Sequence, residues 1–274
     1  MGAQKSGTTW LWKCISSHKA VEFGMMKEYH VWDAVSIPEC DGFLVKVSDI
    51  LSFANGFVPR LDRAKALRWC MQKVPGFYET YFAWMARKHQ RLHPGAEHFV
   101  TGDFTPSYCG LAPEILTRVR QRLERKGFEI KVIFIMRDPV ERCLSAVRMM
   151  QRTLPTRASH EARLARHFAT PAFALRTRYD LTAENLDQSF LADSILYILY
   201  EYIFTNKKID KISNYIGLKL DENFLEQRYN SGELYEDISE ELSKKIKLHY
   251  DVVYEYCKKR FPETRVFWKQ AASD

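Results

Sequence analysis

The sequence contains no apolar run approaching the roughly 20 residues that a membrane-spanning helix needs. It also lacks the basic start, short apolar segment and small-residue cleavage site of a secretory leader. Its six cysteines, Cys14, Cys40, Cys70, Cys109, Cys143 and Cys257, form no Cys-x-x-Cys pair and have no histidine cluster at zinc-ligand spacing. Scattered through 274 residues, they do not make a disulfide framework, and buried free thiols in a reducing compartment are the expected state. These absences lead to the expectation of a cytoplasmic protein with no membrane span and no metal centre.

A hydrophobic fraction of 46% is enough to fill one large core, so a single domain over residues 1–274 is expected. The formal charge is +7 and the pI about 9.0, a balance that suits an anionic nucleotide, an acidic acceptor or nucleic acid without choosing between them. Oligomeric state is not encoded in any of these quantities.

The first ten residues, Met1-Gly-Ala-Gln-Lys-Ser-Gly-Thr-Thr-Trp10, read as a phosphate cradle. Glycine lets backbone N–H groups turn toward an anion, Lys5 adds a full charge, and Thr8 and Thr9 offer hydroxyls where a helix should begin. A Walker A loop would place lysine directly after the second glycine, whereas Thr8 follows Gly7 here and the lysine sits inside the loop. Read alone, the stretch is also compatible with a turn capping an ordinary helix. A phosphate loop is expected to follow a buried strand, and with so little before Gly2 that strand should be very short or lie outside this sequence.

Three further stretches carry chemistry. Lys27-Glu-Tyr-His-Val-Trp-Asp33 concentrates a lysine, two carboxylates and an imidazole within seven residues, although a polar surface turn with aromatic anchors would look similar. His98 to Tyr108 reads as a strand entering a tight turn, with Asp103, Thr105 and Ser107 on the turn. Lys131-Val-Ile-Phe-Ile-Met136 is the clearest buried strand; it ends in Arg137-Asp-Pro139, and Ser145 lies two turns into the helix that Pro139 is suited to start. A guanidinium at a strand end and a helical hydroxyl can together hold a phosphate.

The loop Gly-x-x-Lys-Ser-Gly-Thr-Thr and the distant Arg-Asp-Pro-x-x-Arg-x-x-Ser resemble the 5′-phosphosulfate loop and the 3′-phosphate signature of sulfotransferases. Lys27–Asp33 is similar to the Lys/Asn-Glu-x-His-Phe-Phe-Asp stretch of bacterial and glycan-modifying members. The resemblance implies a three-layer, P-loop-like α/β fold, with a central parallel sheet flanked by helices, and a donor that is 3′-phosphoadenosine 5′-phosphosulfate. It implies donor contacts from Gln4, Lys5, Ser6, Gly7, Thr8, Thr9, Arg137 and Ser145. It makes Glu28 the base, with Lys5 stabilising the leaving group and His30 either the runner-up base or a group that orients Glu28. Lys27, Asp33, Asp103, Thr105 and Ser107 are the expected acceptor-side contacts. The departures are Trp32 in place of a phenylalanine, the absence of lysine from the Gly102–Tyr108 turn, and Tyr200-Glu-Tyr-Ile where the family has Tyr-Glu-Asp-Leu.

The acceptor expected from this likeness is a carbohydrate hydroxyl or amine, with a small alcohol or lipid as the alternative. A P-loop nucleotide kinase and a non-catalytic nucleotide- or polyanion-binding protein remain the rival readings. Residues 40–95 have mixed signals and suit an acceptor-side insertion or lid, within which Tyr78 to His93 reads as a helix. The arginine-rich 148–179 stretch suits a steering rim for an anion; it matches no nucleic-acid module, and nucleic acid is not an expected partner. Further expectations are helices over 113–126, 182–190 and 207–216, a strand over 194–201, a loop at Tyr229–Gly232, and one long terminal helix from Ser239 to Arg260.

Overall fold

The computed structural model describes residues 4–54, 58–95, 98–205, 209–225 and 238–268. The helix Thr8–Ser16 rises directly from the glycine loop, and its apolar face of Trp10, Leu11, Cys14 and Ile15 is buried. A short 3-10 turn at Pro38–Phe43 and a helical turn at Val47–Ile50 lead into an antiparallel hairpin of β1 (Leu51–Ala54) and β2 (Val58–Leu61). Helices Arg63–Lys73 and Phe77–Leu92 follow.

Strand β3 (Val132–Met136) pairs in parallel with β4 (Ile195–Leu199), from Val132 opposite Ile195 to Met136 opposite Leu199. All five β3 residues are buried. Because side chains alternate across a strand, Ile133 and Ile135 enter a core with Trp10, Leu11 and Ile15, whereas Val132, Phe134 and Met136 enter a second core with Leu144, Leu164 and Tyr179. That two-sided burial is why the sequence runs without polar interruption. The connection from β3 to β4 includes the helices Pro139–Thr153, His160–His167 and Tyr179–Ser189.

Helices dominate the fold, and among the described residues the parallel sheet consists of β3 and β4, with one isolated parallel bridge between Val21 and Val100. The strand expected to run from His98 into the turn therefore shrinks to its bridge at Val100. Half-buried Asp103 turns the chain inward, accepting bonds from the Thr105 backbone and hydroxyl, and a 3-10 turn covers Pro106–Gly110. The expected long terminal helix is two helices, Glu240–His249 and Asp251–Arg260. They part at Tyr250, which is buried and donates its hydroxyl to the Phe168 carbonyl. The expected Tyr229–Gly232 loop and the short strand expected around Gly2 lie outside the described residues. No described helix is long and apolar enough to cross a membrane.

Candidate active site

The first turn of helix Thr8–Ser16 has no side-chain cap, which leaves backbone N–H groups at the positive end of the helix dipole. Two residues of the preceding loop take left-handed backbone conformations: Gly7 at φ 88° and Lys5 at φ 75°. Only glycine fits position 7 without strain, because a Cβ there would lie 3.0 Å from the Tyr200 ring. Lys5 has no such exemption, and a left-handed non-glycine residue costs on the order of 1–3 kcal/mol.

The loop forms one wall of a cavity of about 370 Å³. Gln4, Lys5, Gly7, Thr8 and Thr9 line it from the loop, Lys27 and Glu28 from the next segment, and Arg137, Ser145, Met149 and Arg152 from the end of β3 and the helix after it. Thus two motifs separated by more than a hundred residues open onto the same space. Ser6 is the exception among the expected donor contacts: it is fully buried, and its hydroxyl has no hydrogen-bond partner among the described residues.

The β3 end holds a guanidinium at the cavity wall. Asp138 caps the following helix by accepting from the backbone N–H of Val140 and Glu141. Glu201 accepts from the Asp138 backbone N–H at 2.9 Å and from the Trp268 indole at 3.2 Å, so it braces this turn and stays away from the cavity lining. Arg137 lies over the Tyr200 ring at 4.7 Å, donates to the Lys5 carbonyl at 3.2 Å and pairs with Glu141. Burial, followed by the charges of Arg152, Arg137 and Lys27, lowers the Lys5 pKa to about 8.

Opposite lies a chain of charged groups. Lys27 Nζ donates to Glu28 Oε1 at 2.5 Å and to Thr9 Oγ1 at 2.9 Å; Glu28 Oε2 is 3.4 Å from His30 Nε2; His30 Nδ1 is 2.6 Å from Asp33 Oδ2. Ser107 donates to the same Asp33 oxygen. Burial pushes the Glu28 carboxyl up, but the His30 hydrogen bond and the Lys27 charge outweigh it, and the net shift is downward. For His30 the balance is reversed in sign. Burial favours the neutral ring, yet the bonds to Asp33 and Glu28 prevail and favour the imidazolium. His30, itself left-handed at φ 50°, is stacked on Phe43 at 3.6 Å.

Four expected acceptor contacts occupy other places. Asp33, Thr105 and Ser107 are at most 1% exposed, and Asp103 is half-buried, with its carboxylate bonded to hydroxyls. Asp103 accepts from Thr105, Tyr78 and Tyr108; Thr105 accepts from the His30 backbone N–H; Phe104 donates its N–H to the Lys27 carbonyl. Their hydrogen-bonding capacity holds the 27–33 segment, and none of the four lines the cavity. Of the expected acceptor group, only Lys27 does.

Other contributors had no signal in the sequence. Arg68 donates to the Glu28 carbonyl at 3.0 Å, and Gln72 donates to the carbonyls of His30 at 2.7 Å and Phe43 at 3.0 Å. Both come from the helix Arg63–Lys73, within the stretch read as a lid. Trp10, Pro106, Tyr200 and Phe204 complete the lining. A second cavity, of about 170 Å³, lies behind the Asp103 turn and shares no lining residue with the first. The described residues contain no group of three or more His, Cys, Asp or Glu side chains placed to hold a metal ion.

A shared anion-ready cavity, a lysine loop that departs from Walker A, and an Arg-Asp-Pro turn define the class. The model of the sulfotransferase family matches residues 1–222, and the chain belongs to that family. Among solved structures, a sulfotransferase from Alicyclobacillus acidocaldarius is similar in fold at a TM-score of 0.57 and 17% identity, over 96% of this chain and 94% of that one. No curated protein matches the sequence. Family membership makes the chain a transferase of the EC 2.8.2 type.

Proposed function

We propose that the protein transfers a sulfuryl group from 3′-phosphoadenosine 5′-phosphosulfate to an acceptor hydroxyl or amine, most simply that of a carbohydrate. The observation that carries this reading is the single cavity into which Lys5, Thr8 and Thr9 project from one motif and Arg137 and Ser145 from the other. A nucleotide with phosphate at both ends fits that pair of anion sites, whereas ATP would leave the second one unfilled. The donor also fits the charge of the lining: Lys5, Arg137 and Arg152 have no carboxylate in the lining except Glu28, which Lys27 already holds. We place the cavity in a three-layer, P-loop-like arrangement, with β3 and β4 as its described sheet strands.

When bound, the donor supplies an electrophilic sulfur and a leaving group of 3′-phosphoadenosine 5′-phosphate. The chain's residues do the rest. Helix N–H groups with Thr8 and Thr9 hold the 5′ end, and Lys5 offsets negative charge growing there. Arg137 and Ser145 hold the 3′-phosphate. Glu28 takes the acceptor proton. Its depressed pKa keeps it ionised and ready, and Lys27, 2.5 Å away, can polarise the acceptor. His30 acts as the orienting group, since an imidazolium set between two carboxylates has no free site for a proton.

Calorimetric titration with 3′-phosphoadenosine 5′-phosphate against ATP, each with and without Mg²⁺, tests the donor. The bisphosphate should bind at least tenfold tighter and without Mg²⁺. Preferential, Mg²⁺-dependent ATP binding would favour a kinase instead.

A further inference from the structure

We infer that Arg152 is a second guanidinium ligand of the donor's 3′-phosphate, the residue that makes the cavity select a nucleotide carrying phosphate at both ends. This inference rests on the proposed donor. Ser145, Met149 and Arg152 stand at i, i+4 and i+7 on the helix Pro139–Thr153, so they share a face, and all three line the cavity. Helical side chains lean toward the N-terminus of their helix. Arg152 lies about 10 Å along the axis from Ser145 by the rise per residue, a distance that a stem with this lean shortens along the face Arg152 shares with Met149 and Ser145.

The electrostatics agree. A phosphate monoester carries about two negative charges at neutral pH, more than Arg137 alone can offset, and Arg137 already shares its guanidinium with Glu141 and the Lys5 carbonyl. Arg152 has no hydrogen bond or ion pair among the described residues. Its charge bears on Lys5 ahead of those of Arg137 and Lys27, so four cations line one space until an anion enters it. Glu28, the carboxylate in the lining, is engaged by Lys27 and His30 and does not relieve them.

The test is a pair of titrations, 3′-phosphoadenosine 5′-phosphate and adenosine 5′-monophosphate, against the wild type, Arg152→Ala and Arg152→Lys. Losing a charge-assisted bond typically costs about tenfold to a hundredfold in affinity. Arg152→Ala should weaken the bisphosphate by that factor, leave the monophosphate within about twofold, and be partly rescued by lysine. An unchanged bisphosphate affinity, or an equal loss for both nucleotides, overturns the assignment while leaving the donor reading intact. An unchanged nucleotide affinity with a raised acceptor KM also overturns it, moving Arg152 to the acceptor. If the wild type itself fails to prefer the bisphosphate, the donor reading falls and this assignment falls with it.

Discussion

The lowered pKa of Lys5 makes nucleotide binding depend on pH in a calculable way. In the free protein Lys5 titrates at about 8, so it is about nine-tenths charged at pH 7 and about one-tenth charged at pH 9. A bound 5′-phosphosulfate group or 5′-phosphate places negative charge against the ammonium and restores its pKa toward the ordinary lysine range. Affinity is then fully present below pH 8 and is lost as pH rises through it. The linkage gives about a tenfold weaker Kd at pH 9 than at pH 7, equivalent to about 1.4 kcal/mol. The phosphates do not confuse the readout, because their second ionisation lies near pH 6. Calorimetry of 3′-phosphoadenosine 5′-phosphate from pH 7 to 9 measures the slope, and two buffers of different ionisation enthalpy at pH 8 should reveal uptake of about half a proton. In Lys5→Arg, whose guanidinium stays charged, the slope should flatten. A Kd constant within twofold across the range, or the same slope in Lys5→Arg, would refute the reasoning.

Other consequences concern the supports of the site. Asp33→Asn removes a charge that holds the His30 pKa up, so the His30 titration followed by NMR should move to lower pH; an unmoved titration would separate Asp33 from the site. Gln72→Ala leaves the His30 and Phe43 carbonyls without their donor. Thermal unfolding should show a loss of about 1–3 kcal/mol, and kcat should fall while nucleotide affinity is kept. Gly7→Ala forces a Cβ to 3.0 Å from Tyr200 at φ 88°, which costs about 1–2 kcal/mol in backbone conformation alone; equilibrium nucleotide titration should record a weakened donor site.

The parts legible in the sequence are those whose chemistry is local. The Lys5–Thr9 loop runs straight into its helix, and β3 with Arg137 and Ser145 is a contiguous apolar strand, turn and helix, so spacing alone carries their geometry. The turn around Asp103 was legible as a turn but not in its orientation. Residue type says that Asp103, Thr105 and Ser107 are polar, while only the fold decides that they bond inward to the 27–33 segment. Arg68 and Gln72 reach backbone carbonyls 40 and 42 residues away, contacts that leave no trace in spacing. The apolar period of the terminal helices continues through Tyr250 and hides the break there, which depends on a tertiary bond to Phe168. The width of the sheet is likewise a matter of pairing, and the single bridge at Val100 replaces what the sequence suggested was a strand.

The most direct measurement is sulfuryl transfer itself. Wild type and Glu28→Gln would be incubated with 3′-phosphoadenosine 5′-phospho-[35S]sulfate and a panel of carbohydrate, small-alcohol and lipid acceptors, with nucleotide affinity measured in parallel. The account predicts labelled product with the wild type, a fall of about a hundredfold or more in Glu28→Gln, and nucleotide binding retained by the variant. Wild-type activity undiminished in Glu28→Gln, or no transfer to any acceptor by a wild type that binds the donor, would contradict it.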